Sequence, residues 1–186
     1  MMSFEHTVKL QCLGIALTIG VSMIGCNPSS DIESSVRPSR PALSAPPGKS
    51  TPRFYTVDVY GEERDVEEDL KMTTARAASE KKRILLQVGG DWCGWCKRLT
   101  AFIESEAPVR SSLEKNYLLM KVTWTQKQPN EAFLSKYPKI VGYPHLFVLD
   151  ADGNLLHSQD TSPLEEGSGY NQERVLAFLE DWKARE

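Results

Sequence analysis

The sequence predicts an α/β sandwich, a mixed central sheet flanked by helices. Three observations predict it. An apolar run, "RILLQVGG", ends at a glycine pair and passes into a helical pattern, as a buried strand feeding a helix does. Two strand-like segments, "HLFVLD" and "LLHSQD", are separated only by "ADGN", with Asp152-Gly153 at the tip, which marks an antiparallel hairpin. Amphipathic segments stand at both ends of this region and supply apolar faces for a sheet to bury.

Residues 53–186 have the length of one compact domain. "RFYTVDVY" opens it as a short strand or an extended lead-in. "VEEDLKMTTARAASEKK" carries Val66, Leu70, Ala77 and Ala78 at roughly helical spacing, and "EERDVEED" before it places acids where a helix dipole favours them. After the first buried strand, Cys96, Leu99, Phe102 and Ile103 share one helical face, and Pro108 implies that this helix bends or ends nearby. "YLLMKVTW" is the next strand and "NEAFLSKY" a short helix closed by Pro138. The hairpin follows. In the last helix, "NQERVLAFLEDWK", Val175, Phe178, Leu179 and Trp182 fall on one side.

The chain upstream is of another kind. Residues 1–25 hold a short polar start with Lys9 and then the nearly uncharged run "LQCLGIALTIGVSMIG". That run is short of the ~20 residues of a membrane-spanning helix and has the layout of a secretory signal; an uncleaved membrane anchor is the other reading. Its end, "SMIGCN", resembles the lipobox of bacterial lipoproteins, with Met23 in place of the commoner Leu. The likeness implies lipidation at Cys26 and loss of Cys12 with the signal, and several acyl chains anchor a protein firmly where one does not. Residues 26–52 are rich in Ser and Pro and poor in large apolar side chains. Such a linker cannot bury enough surface to fold, and as a coil it spans roughly 30 Å. The net charge of −3 shows no basic excess, so nucleic acid is not an expected partner.

Chemistry is concentrated in Cys93-Gly94-Trp95-Cys96, inside "GGDWCGWCKRL". At a strand-to-helix junction Cys93 falls near the helix N-cap, where unpaired N–H groups and the dipole favour thiolate. Lys97 and Arg98 add positive charge. Cys96, one turn in, is placed to attack a mixed disulfide formed at Cys93. Zinc needs four ligands, and the folded part adds only His145 and His157 at unsuitable spacing, so no metal or cofactor is expected. A structural staple over so short a loop removes little unfolded-chain entropy. A redox dithiol is the reading that suits the pair.

"DWCGWCK", with "VGYPHLFVLDADGN" about fifty residues later, resembles the thioredoxin superfamily. It is similar in particular to bacterial envelope members and to the periplasmic thioredoxin-like domain of transmembrane disulfide reductases. The resemblance implies a thioredoxin-like three-layer sandwich over about residues 66–182. It implies that Cys93 attacks, that Cys96 resolves, that Trp92 flanks the pair, and that Pro144 is a cis-proline facing the disulfide, leaving the backbone at Tyr143 to pair with a substrate strand. Trp92, Trp95, Tyr143 and Pro144 are then the expected substrate contacts. Two departures stand out: Gln87 occupies the place of the usual acid, which leaves the proton acceptor for Cys96 open, and Trp95 replaces a Pro or small residue. "TSPLEEGSGYNQ" is longer than a minimal turn and is a candidate substrate-facing rim. His145 reads first as a hydrogen-bonded structural histidine, His157 as a surface or edge residue, and Trp124, like Tyr143, equally as apolar filler or as a substrate contact.

The expectation is a lipid-anchored, periplasm-facing thiol–disulfide oxidoreductase of the bacterial cell envelope. Its substrates would be disulfide-containing envelope proteins, and a membrane disulfide reductase its electron donor. The alternative is a non-catalytic binding module of the same fold, or a copper-handling protein.

Overall fold

The computed structural model describes residues 51–185; the signal-like segment 1–25, Cys26 and the linker up to residue 50 lie outside the described residues. The central sheet has five strands in the order β1-β3-β2-β4-β5. β2 (Arg83–Gly89) runs parallel to β3 (Tyr117–Thr123), in register from Arg83 opposite Tyr117 to Gly89 opposite Thr123. The short β1 (Tyr55–Val57) lies parallel on the far side of β3. β4 (His145–Leu149) and β5 (Leu155–Asp160) form the expected antiparallel hairpin, in which β4 pairs antiparallel with β2 and β5 is the outer edge. Parallel and antiparallel pairs thus share one mixed sheet.

The period-two alternation of strand side chains builds three layers. Leu85, Tyr117, Leu119, Leu146 and Val148 face one apolar cluster, while Ile84, Leu86, Leu118, Met120, Phe147 and Leu149 face the other. Over the first face lie α2 (Gly94–Ser105), α3 (Ala107–Asn116) and α5 (Gln172–Trp182), through Leu99, Ile103, Val109, Leu113, Val175, Phe178 and Leu179. Over the second lie α1 (Val66–Glu80) and the short α4 (Glu131–Leu134), through Val66, Ala77 and Phe133. Because β2 and β3 are covered on both sides, they read in the sequence as near-continuous apolar runs.

Local chemistry sets the helix ends. The Asp65 side chain accepts from the amides of Glu67 and Glu68 and caps α1. That helix stops at Lys81, whose φ of 54° places it in the left-handed region. Asn171 caps α5 by accepting from the Arg174 amide.

Three features differ from the pattern read in the sequence or add to it. The helix of the cysteine pair does end near Pro108, at Ser105, but the chain goes on into a separate helix, α3, and Pro108 sits in its first turn. A proline there costs nothing, because the amide it lacks has no intrahelical acceptor. Ala78 is exposed, and α1 instead buries Asp69, held by the Arg64 guanidinium, and Thr73. The segment 161–172 is a single 3₁₀ turn (Ser162–Leu164) followed by a small hairpin of β6 (Glu165–Glu166) and β7 (Gly169–Tyr170). Gly167, with φ 57°, makes its turn.

Candidate dithiol site

β2 leads from the core into the site. At its end the Gly89 carbonyl accepts from the Trp124 amide, the Cys93 amide donates back to Gly90 O, and α2 begins. Cys93 is the N-cap of α2, with extended backbone angles. Its Sγ accepts a hydrogen bond from the Cys96 amide at 3.0 Å. An N-cap side chain satisfies one of the orphan donors of the first turn, and here the capping atom is sulfur. Cys93 and Cys96 are disulfide-bonded, with Cα atoms 5.2 Å apart. Cys93 retains 5% of its surface and Cys96 none, so the N-cap sulfur is the one nearer solvent.

The residue before Cys93, Trp92, belongs to an aromatic group. Trp92 is 54% exposed; its ring meets Trp124 and Tyr143 edge-on at 5.7 and 5.5 Å, and the Trp124 and Tyr143 rings stack at 5.0 Å. Trp124, read from the sequence as filler or substrate contact, touches both of the other rings, which also touch each other. It and Tyr143 also form one wall of an open groove of about 460 Å³, continued by Leu134, Tyr137 and Ile140. The Tyr143–Pro144 peptide is cis. Pro144 is buried, and its carbonyl accepts from the Thr161 hydroxyl at 2.9 Å.

Trp95 turns the other way. It is partly buried, edge-on to Tyr170 of β7 at 5.7 Å and capped by the Arg98 guanidinium at 4.8 Å. The hairpin of β6 and β7 thus packs on the cysteine helix through Tyr170. Trp95 belongs to that packing, while Trp92, Tyr143 and Trp124 form a separate aromatic group.

Beneath the pair the sheet is polar. Gln87 is fully buried; its amide nitrogen donates to the Tyr60 hydroxyl at 2.9 Å, and its carbonyl oxygen has no partner. Lys121, opposite Gln87 on β3, is nearly buried, donates to Asp58 O at 2.7 Å and lies 5.3 Å over the Tyr60 ring. Burial pushes the Lys121 ammonium below its ordinary range, against the pull of Glu104, Asp58 and Asp91, and pushes the Tyr60 hydroxyl up. His145 is buried at the start of β4, with Nε2 2.8 Å from the Ser158 hydroxyl, and desolvation lowers its pKa. His157 lies on the edge strand β5, as expected, and its ring stacks on Trp182 at 4.2 Å.

Tyr60 was not legible as part of the site, because it lies in the lead-in between β1 and α1, outside any periodic pattern. Lys121 did carry a signal, a single charge inside an otherwise apolar strand. Among the described residues no group of three or more His, Cys, Asp or Glu side chains converges as metal ligands, and no helix is long and apolar enough to cross a membrane.

The layers, the sheet order and the cysteine pair at the head of α2 define a thioredoxin-like α/β fold. Residues 65–151 match the family model described as thioredoxin-like. The chain is similar to the thiol:disulfide interchange protein DsbD of Klebsiella pneumoniae, 24% identical over 114 residues, which are 61% of this chain and 18% of that protein. It spans about a fifth of the length of the curated relatives it matches. Among solved structures, the disulphide isomerase of Xylella fastidiosa superposes with a TM-score of 0.57 at 19% identity, covering 66% of this chain and 94% of that one. The oxidised DsbD C-terminal domain of Neisseria meningitidis gives 0.51 at 18%, covering 67% and 99%. The chain therefore has a thioredoxin-like fold and is similar in sequence to part of DsbD.

Proposed function

We propose that this chain is a thiol–disulfide oxidoreductase of the bacterial envelope, working on disulfides of other proteins. The observation that carries the reading is the cap at the head of α2. Cys93 Sγ accepts the Cys96 amide at 3.0 Å, at the positive end of a twelve-residue helix. Both the bond and the dipole favour the thiolate, which is the nucleophile.

In the reduced form, Cys93 S⁻ attacks one sulfur of a substrate disulfide. A Cys93–substrate bond forms, and the other substrate sulfur leaves as a thiolate that takes up a proton. Cys96, deprotonated, then attacks Cys93 Sγ. The Cys93–Cys96 bond forms, the mixed disulfide breaks, and the second substrate sulfur leaves. Two electrons pass from the dithiol to the substrate, and a membrane disulfide reductase returns the pair to the reduced state. Trp92, Tyr143 and the backbone beside Pro144 would receive the substrate strand, with Trp95 holding the opposite rim through Tyr170. Reduction of the partner is the favoured direction because the sequence relatives are DsbD proteins. Lipid on Cys26 and the linker 26–52 would hold the domain off the membrane on its periplasmic side.

The test is trapping. With Cys96→Ser, mixed disulfides through Cys93 should accumulate with partner proteins, while Cys93→Ser should trap few. Peptide mapping that finds adducts equally on both variants would reverse the assignment.

A further inference from the structure

The cysteine chemistry leaves one question, namely what favours loss of the Cys96 proton when a neutral amide, Gln87, occupies the strand beneath it. We propose that the Tyr60 hydroxyl donates a hydrogen bond to the Cys96 thiolate during resolution, and that the proton leaves through the solvent-open cavity beside it. The proposal deepens the oxidoreductase reading and rests on it.

Three observations carry it. First, Gln87 Nε2 donates to the Tyr60 oxygen, so the phenol proton is not used on Gln87. Among the described residues Tyr60 donates no hydrogen bond, and its O–H remains free for another acceptor. Second, the phenol and the sulfur flank one point. A Cβ added at Gly89 would collide with Cys96 Sγ and lie 3.2 Å from the Tyr60 oxygen. Third, Tyr60, Cys96, Lys97, Asp91, Glu104 and Lys121 line a cavity of about 220 Å³. Water there can carry a proton away from an otherwise buried thiol.

The arrangement suits a transient charge. A disulfide sulfur is a weak acceptor, and the donor stands idle in the oxidised state. A thiolate is a strong acceptor, and a donor already in place needs no reorganisation when the charge forms. Burial raises the Tyr60 pKa, which keeps it a donor throughout the working range and excludes it as the base. The charged groups facing the sulfur are Lys121 from β3, Lys97 and Glu104 from α2, and Asp91 from the preceding turn. Their signs balance, which leaves the directed O–H as the discriminating contact. The Cys96 S–H bond breaks, its proton goes to cavity water, the sulfur lone pair forms the bond to Cys93 Sγ, and the departing thiolate is protonated by solvent.

The test uses the full-length chain with Cys12 and Cys26 replaced by Ser, reduced, and mixed with one equivalent of dithiobis(nitrobenzoate). Attack by Cys93 releases one nitrothiobenzoate, and resolution by Cys96 releases a second. The two phases are followed as a function of pH. Tyr60→Phe, with unfolding monitored to show the fold intact, should leave the first phase unchanged. It should move the pH midpoint of the second phase up by about one unit, slowing it roughly tenfold at neutral pH. Lys121→Met should move that midpoint less. An unmoved second phase in Tyr60→Phe, or a larger shift in Lys121→Met, overturns the proposal while the oxidoreductase reading stands. No release from the parent chain overturns both.

Discussion

The indole N–H of Trp92 donates to the carbonyl oxygen of Trp124 at 2.8 Å. That bond fixes an exposed ring beside Cys93 and leaves its outer face open, an arrangement suited to an aromatic anchor for a docked chain. Trp92→Ala should lower kcat/KM toward protein disulfides by about tenfold or more, with little change toward a small aliphatic disulfide. Steady-state kinetics on both substrates check it, and an equal loss on both would assign Trp92 to the chemistry instead of to docking.

Gly89 is held to glycine by close approach. A Cβ there would run into Cys96 Sγ, so Gly89→Ala should cost about 1–3 kcal/mol, the usual range for overpacking. Nothing lies within 4 Å of a Cβ at Gly94, and Gly94→Ala in the first turn of α2 should be neutral or slightly stabilising. Denaturant melts of the two variants give the comparison, and similar stabilities for both would contradict the packing.

Stability should depend on pH through His145. Burial depresses its folded pKa below the ordinary value of 6.5. Below pH 6.5 the unfolded chain then binds a proton that the folded chain resists, so stability is full above about 6.5 and falls as pH drops toward the depressed value. Glu80, Asp150 and Asp160, held low by partners, lose their contributions only in more acid solution. Replacing His145 by Asn should flatten the slope between pH 7.5 and 5.5 in chemical denaturation. An unchanged slope would place the titration elsewhere.

How much of this was legible follows from where the information lies. β2, β3 and the β4–β5 hairpin are written locally, as apolar runs and an Asp-Gly turn, and each appears in the structure. α3 was hidden because a proline in a first helical turn and a proline ending a helix look alike without the backbone. The Gln87–Tyr60 bond joins residues 27 apart in sequence, and the Trp92–Trp124 bond joins residues 32 apart. No periodicity encodes such pairs; only the closing of the sheet brings them together. The partition of aromatics is similar, with Trp92 and Trp95 neighbours in sequence and separated by the turn into α2.

The N-terminal segment carries its own prediction. If Cys26 is lipidated, Cys26→Ala should leave an unprocessed precursor or release the protein from the membrane fraction. Fractionation and the mass of the mature N-terminus decide it, and a variant processed and anchored like the parent would refute lipidation at this cysteine.

The central claim is that Cys93 and Cys96 form a reversible redox couple. Equilibration of the purified protein with mixtures of reduced and oxidised glutathione, followed by acid trapping and mass measurement, tests it most directly. The account predicts a single two-electron transition between dithiol and disulfide, approached identically from either side. A pair that stays oxidised across all accessible glutathione ratios, or that fails to exchange, would contradict it and leave the fold as a binding module.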